Sequence, residues 1–135
     1  MKVSATQGTL VLDCAGLSGF VEGRRRVMVV LDEAQRMEWR VRTCAATIIE
    51  ATHPKTDAAR MTWILSRVQV ESLTRDAARA ASALLRAANL HGHKYAIDAM
   101  VAEMALRQRG PVAMITSDLD DMARLCGPGV RLIPL

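Results

Sequence analysis

The sequence predicts an α/β protein: a three-layer α/β/α sandwich with a parallel sheet of about five strands, Rossmann-like in its layering. Three observations carry this. From residue 9 onward, short apolar runs that read as strands alternate with longer amphipathic stretches that read as helices. The connections are long enough for the crossovers that parallel pairing requires. Two runs, Thr9-Leu-Val-Leu-Asp13 and Pro111-Val-Ala-Met-Ile-Thr-Ser-Asp118, are strongly apolar and each stops on a carboxylate, the pattern of strands buried on both faces.

Residues 1–8 are expected to be a flexible N-terminal segment ahead of a single domain over 9–135. Thr9–Asp13 is the first strand. Gly16–Gly23 suits a short helix and Arg24–Glu38 a second. There Val27, Val30, Leu31, Ala34 and Met37 recur at helical spacing and leave Asp32, Glu33, Gln35 and Arg36 outward. Trp39–Thr43 alternates like a strand nearer the sheet edge. Ala45–Thr52 reads as a helix carrying Glu50, stopped near Pro54. Lys55–Arg67 is a further amphipathic helix with Ala59, Trp63 and Ile64 inward, and Val68–Leu73 is a third strand. Thr74 caps a long Ala-rich helix through Leu90, with Asp76 in its first turn. His91-Gly92-His93 breaks the chain before a helix from about Lys94 to Arg109, closed by Gly110. Pro111–Thr116 is the fourth strand and Leu119–Leu125 a short helix. Gly127-Pro128-Gly129 turns into the last strand, Val130–Ile133.

The 135 residues are 50% apolar and 24% charged, an ordinary composition for one globular domain. Aromatic residues make up only 3%, so the core is aliphatic. No stretch approaches a membrane span and the N-terminus has no apolar signal core, so a cytoplasmic protein is expected. Cys14, Cys44 and Cys126 form no CxxC pair and no zinc spacing, and are expected to be buried reduced thiols. Net charge is +4, and every basic residue except Lys2, Lys55 and Lys94 is an arginine. An Arg-rich exterior grips phosphate, or is simply a solvated surface.

Four segments set a carboxylate in apolar surroundings: Leu-Val-Leu-Asp13-Cys-Ala-Gly-Leu, Thr-Ile-Ile-Glu50-Ala, Tyr-Ala-Ile-Asp98-Ala-Met-Val-Ala and Met-Ile-Thr116-Ser-Asp118-Leu-Asp-Asp121-Met. If the strands ending on Asp13 and Asp118 are neighbours where the strand order reverses, their acids converge on one crevice. Asp98, at a helix front beside the stripe Ile97, Val101 and Met104, can be aimed at the same place; Glu103 is expected to face solvent. Converging carboxylates repel, and a hard divalent cation would hold them ionised. Each acid has a bland explanation: an N-cap for Asp13 or Asp118, solvent for Glu50, an Arg partner for Asp98. Together these require four separate coincidences.

The set resembles the PIN-domain ribonucleases, in particular the VapC-like toxins of bacterial toxin–antitoxin pairs, from Leu10 to Ile133. Val-Leu-Asp13-Cys-Ala-Gly-Leu is similar to the family's opening "Asp-x-Ser/Ala-x-Leu" element, and Tyr-Ala-Ile-Asp98-Ala-Met-Val-Ala to its "Asp-Ala-Leu-Ile-Ala" helix. Ile-Thr116-Ser-Asp118-Leu-Asp-Asp121-Met is similar to its "Thr-x-Asp-x-x-Asp-Leu" motif, and Ile-Ile-Glu50-Ala to its mid-chain glutamate. Met122 stands where Leu or Phe is usual, and some eight extra residues precede the first strand. The resemblance implies a PIN-like fold and catalytic, metal-binding roles for Asp13, Glu50, Asp98 and Asp118 around Mg²⁺ or Mn²⁺. Thr116 would steady the pocket and Asp121 would be an outer or occasional ligand. It also implies an RNA substrate, a cognate antitoxin protein, a homodimer and no membrane association.

Phosphodiester hydrolysis needs an activated water and neutralisation of charge on the phosphoryl oxygens, both of which a carboxylate-held cation supplies. His53, His91 and His93 read as surface residues, and no Ser-His-Asp, Cys-His or Gly-rich phosphate loop is visible. Arg24-Arg25-Arg26 is the densest basic run, either RNA phosphate contacts near the crevice mouth or a solvated helix start. Few aromatics argue against base-stacking platforms. The apolar positions Leu17, Phe20, Val21, Val27 and Val30 either pack on the sheet or receive a partner helix, whose basic side chain would enter the carboxylates. The rival readings are a PIN-like domain that processes RNA or acts on DNA, and a non-enzymatic α/β module that binds a cation or basic partner. A phosphoacceptor receiver domain needs paired acids near the first strand and a late lysine, which are not suitably placed.

Overall fold

The computed structural model describes residues 7–135. Five strands, β1 (Thr9–Leu12), β2 (Arg40–Cys44), β3 (Gln69–Glu71), β4 (Val112–Thr116) and β5 (Arg131–Pro134), form one sheet in the order β3-β2-β1-β4-β5. Every pairing is parallel. The chain builds outward from β1 to β3 and then returns to add β4 and β5 on the other side. The order therefore reverses between β1 and β4, where ligands collect in open α/β sheets.

Alternation along the two central strands divides the core. Leu10, Leu12, Ala113 and Ile115 face α1 (Cys14–Glu22), α2 (Arg25–Arg36), α3 (Ala45–Ala51) and α4 (Ala58–Leu65). Val11 and Met114 face α5 (Arg75–Ala88), α6 (Gly92–Leu106) and α7 (Leu119–Cys126). That gives the expected three layers, with aliphatic packing throughout. Among the described residues no helix is long and apolar enough to cross a membrane.

Helix ends follow local chemistry. Thr74 Oγ1 accepts from the Ala77 amide (3.1 Å) and Asn89 takes the left-handed conformation (φ 55°) that closes α5. Asp57 caps α4 by accepting from the Arg60 amide (3.0 Å), so that helix starts at Ala58 rather than Lys55.

Several expectations change. Of the segment 1–8 expected to be flexible, residues 1–6 lie outside the described residues, whereas Gln7 and Gly8 are fixed. Gln7 Nε2 donates to the Glu38 carbonyl (2.8 Å), and the Gly8 carbonyl accepts from the Arg40 amide (3.0 Å). A Cβ on Gly8 would lie 2.5 Å from the Pro111 carbonyl oxygen. On α4 the inward positions are Met61 and Ile64; Ala59 is exposed and Trp63 is 46% exposed. Met37 ends α2 instead of packing beneath it. Leu17 and Val27 are fully buried against the sheet and offer no free surface to a partner, whereas Phe20, buried for the most part, still borders the groove between α2 and α4. Glu103, expected in solvent, is only 6% exposed; Arg107 Nε donates to its Oε2 (2.7 Å) and offsets the buried charge, while its Oε1 is buried without a hydrogen-bond partner among the described residues.

Candidate functional site

β1 and β4 deliver Asp13 and Asp118 to the carboxyl edge of the sheet by different local means. Asp13 is 3% exposed and caps α1, its Oδ1 accepting from the Gly16 amide (2.9 Å). Gly16 suits this place because a Cβ there would press on the Ile115 carbonyl oxygen at 3.3 Å. Asp118 occupies the cap position of α7, yet its side chain makes no capping bond. The N-cap explanation therefore holds for one oxygen of Asp13 and fails for Asp118. Thr116, fully buried, links the two: its Oγ1 accepts from the Asp118 amide (2.9 Å) and its hydroxyl hydrogen-bonds the Asp13 carboxylate.

α3 brings Glu50. Thr43 and Thr47, both fully buried, anchor its first turn: their hydroxyls lie 2.5 Å apart, Thr43 donates to the Leu12 carbonyl (2.7 Å) and Thr47 to that of Cys44 (2.7 Å). Glu50 then emerges exposed at the crevice. α6 brings Asp98, in the first regular turn after non-helical backbone at Tyr95 (φ −114°, ψ 18°). Glu50, Asp98, Asp118 and Asp121 line one open pocket of about 380 Å³.

Asp13, buried, does not line that pocket, but its charge bears on Asp98 and that of Asp118 on it. Burial, then repulsion from Asp118, Glu50, Asp13 and Asp121, pushes the Asp98 carboxyl up to about 6. Asp13 is also raised, chiefly by burial, with the Thr116 hydroxyl and the Gly16 amide opposing. Among the described residues none of these five carboxylates forms an ion pair. Nor do any three His, Cys, Asp or Glu side chains there lie close enough to enclose a metal ion. The acids share a field without forming a closed shell.

Other placements settle what the sequence left open, change one expectation, or add residues it did not name. Arg24, Arg25 and Arg26 are exposed at the α1–α2 turn, Arg24 beside Glu22 (3.5 Å), and none lines the acidic pocket. Cys14 is half-buried rather than buried; its thiol contacts Glu50, and burial with that carboxylate pushes it up to about 12. All three cysteines are free. His93 stands on the pocket wall, unlike His53, whose Nδ1 accepts from the Lys55 amide (3.1 Å) in a turn. Lys94 and Tyr95 line the pocket as well. The signal for them was their position just ahead of Asp98, which the His-Gly-His break concealed.

No protein-family model and no curated protein matches the sequence. Solved structures do match. A chain of VapBC2 from Rickettsia felis bound to a DNA fragment from its promoter aligns over 94% of this chain and 98% of that one, with TM-score 0.70 and 13% identity. A toxin–antitoxin complex from Klebsiella pneumoniae aligns over 90% and 94%, with TM-score 0.66 and 21% identity. This chain has the fold of those toxin–antitoxin structures, the α/β architecture that its resemblance to VapC-like PIN domains implies.

Proposed function

We propose that this protein is a metal-dependent endoribonuclease that hydrolyses RNA phosphodiester bonds, the toxin of a cytoplasmic toxin–antitoxin pair. The observation that carries the reading is the presence of Glu50, Asp98, Asp118 and Asp121 on one pocket wall at the strand-order reversal, with buried Asp13 within electrostatic reach and none of the five ion-paired among the described residues. Their oxygens suit a hard divalent cation. Magnesium keeps several waters and takes one or two carboxylates plus substrate phosphates, so a loose acidic wall fits it better than a closed cage. Asp13, Glu50, Asp98 and Asp118 would share the ion, one or two of them directly and the others through its waters, with Asp121 farther out. The bound ion supplies an activated water and neutralises charge on the phosphate. Thr116 fixes Asp13 relative to Asp118, and the Gly16 amide keeps one Asp13 oxygen engaged.

The test is cleavage of a labelled single-stranded RNA by the purified protein. We expect cutting with Mg²⁺ or Mn²⁺, arrest by EDTA, and none with Asp98→Asn. Undiminished cutting in EDTA would contradict the reading.

The two solved complexes, together with an open apolar groove, support an antitoxin partner. The groove, about 510 Å³, runs between α2 and α4 and includes Met28, Leu31, Trp39, Val41 and Trp63. An antitoxin segment would lie there and direct a basic side chain into the carboxylates. Trp63→Glu should abolish co-purification with the product of the adjacent gene while RNA cleavage persists. A homodimer is part of the proposal; Ile49, 78% exposed beside Glu50, offers apolar surface to a second copy, and light scattering reads the mass.

A further inference from the structure

The acidic pocket has a second, non-acidic wall. Its rim is the start of α6, where His93, Lys94 and Tyr95 stand just ahead of Asp98. Tyr95 interrupts the helix (φ −114°, ψ 18°), so this first turn is re-aimed relative to the regular helix that carries Asp98. Lys94 Nζ lies over the Tyr95 ring, 5.3 Å from its centroid, so a base stacking on that face would displace the ammonium toward its own phosphate. Lys94 is exposed and, among the described residues, makes no ion pair despite the nearby carboxylates. The other phenyl and indole rings are elsewhere: Phe20, Trp39 and Trp63 all border the groove between α2 and α4. Tyr95 is the one tyrosine of the chain, and it sits at the acidic pocket.

A ring and an ammonium on one rim match the two chemistries of a single-stranded nucleic acid, the π-face of a base and the charge of a phosphate. We infer that Tyr95 and Lys94 form a nucleotide subsite of the crevice, in which Tyr95 stacks a base next to the scissile phosphate and Lys94 neutralises that nucleotide's phosphate. This rests on the proposed ribonuclease reading and narrows its substrate to unpaired RNA, because a base must leave a duplex stack to lie on the ring. It also revises the argument from composition: a low aromatic count does not preclude stacking when the single tyrosine is at the site.

The experiment is fluorescence anisotropy of a labelled single-stranded RNA decamer and of its duplex, using the full chain with Ca²⁺ in place of Mg²⁺. Tyr95→Leu should weaken single-strand binding about tenfold, the loss of one base–ring stack, and leave duplex binding unchanged. Tyr95→Phe should bind within about twofold of the parent, because it keeps the ring. Lys94→Ala should flatten the dependence of log affinity on log salt by about 0.7, one phosphate contact on a single strand. Arg36→Ala, an equal loss of charge on exposed α2, should leave that slope unchanged. Parent-like binding by Tyr95→Leu, or an unchanged slope in Lys94→Ala, overturns the subsite alone. A parent protein that neither binds nor cuts the decamer overturns the ribonuclease reading and the subsite with it.

Discussion

Two acidic clusters lie at different ends of α6, and they are built on opposite electrostatic terms. Near its C-terminus, Glu71 and Glu103 have side chains only 16% and 7% exposed, and both are compensated. Arg42 Nη1 (2.6 Å) and Gln108 Nε2 (2.8 Å) donate to Glu71 Oε2, Arg107 Nη1 (3.0 Å) donates to its Oε1, and Arg107 Nε reaches Glu103. Burial alone would raise Glu71, but these donors outweigh it and hold its carboxyl below the usual range. Near the N-terminus of α6, burial raises Asp98 as well, and there the four neighbouring carboxylates add to the rise instead of opposing it. The chain is rich in arginine, yet places none on the pocket wall. Compensated acids tie the three-residue edge strand β3 to β2 and α6; uncompensated acids lower the cost of bringing in a cation from outside.

The largest expected effect separates the clusters by activity. Asp98→Asn or Asp118→Asn should lower RNA cleavage by about a hundredfold or more, since even outer partners of metal ligands are worth 10–100-fold, with circular dichroism and melting near the parent's. Glu71→Gln should do the reverse. It leaves Arg42 and Arg107 under-compensated and should cost about 2 kcal/mol, a fall of several degrees in Tm, while cleavage by the folded fraction is kept. A Glu71→Gln variant with parental stability but impaired cleavage would erase the distinction.

A smaller effect is read from pH. In the metal-free protein the folded Asp98 carboxyl, at about 6, lies above its ordinary 3.8. The native state therefore binds more protons than the unfolded one in that window, and stability falls as pH rises from about 4 to about 6. Because Asp98 is partly exposed, solvent screening limits the loss to about 1 kcal/mol. Asp98→Asn should flatten this slope in urea titrations at successive pH values. Glu71 has the opposite sign: its stabilisation is full above its ordinary 4.5 and is lost as pH falls through its lowered folded value. Glu71→Gln should remove that acid-side loss and leave the slope between about 4 and 6 intact.

Much of this was legible in the sequence. Period-2 burial of Leu10, Leu12, Ala113 and Ile115 against Val11 and Met114 follows from apolar runs alone, and strand-end acids mark the switch point. What was hidden depends on tertiary placement. Glu103 reads as a surface residue because its i,i+4 partner Arg107 is legible along the helix, whereas the burial of that helix face appears only once α6 is laid against β2. Trp63 reads as core by its size, whereas Met61 and Ile64 face inward and leave it open over the groove. Lys94 and Tyr95 reach the pocket through a backbone break that no periodicity reports. Arg24, Arg25 and Arg26 are exposed, as a solvated helix start would be, and charge density along the chain could not say whether that turn faces the pocket.

Calorimetric titration of the metal-free protein with Mn²⁺ near neutral pH tests most directly whether the uncompensated cluster is a cation site. The account predicts binding by the parent, the same binding by Glu71→Gln, and affinity reduced at least about tenfold in Asp98→Asn. Parental Mn²⁺ affinity in Asp98→Asn, or a parent that takes up no Mn²⁺, would contradict it.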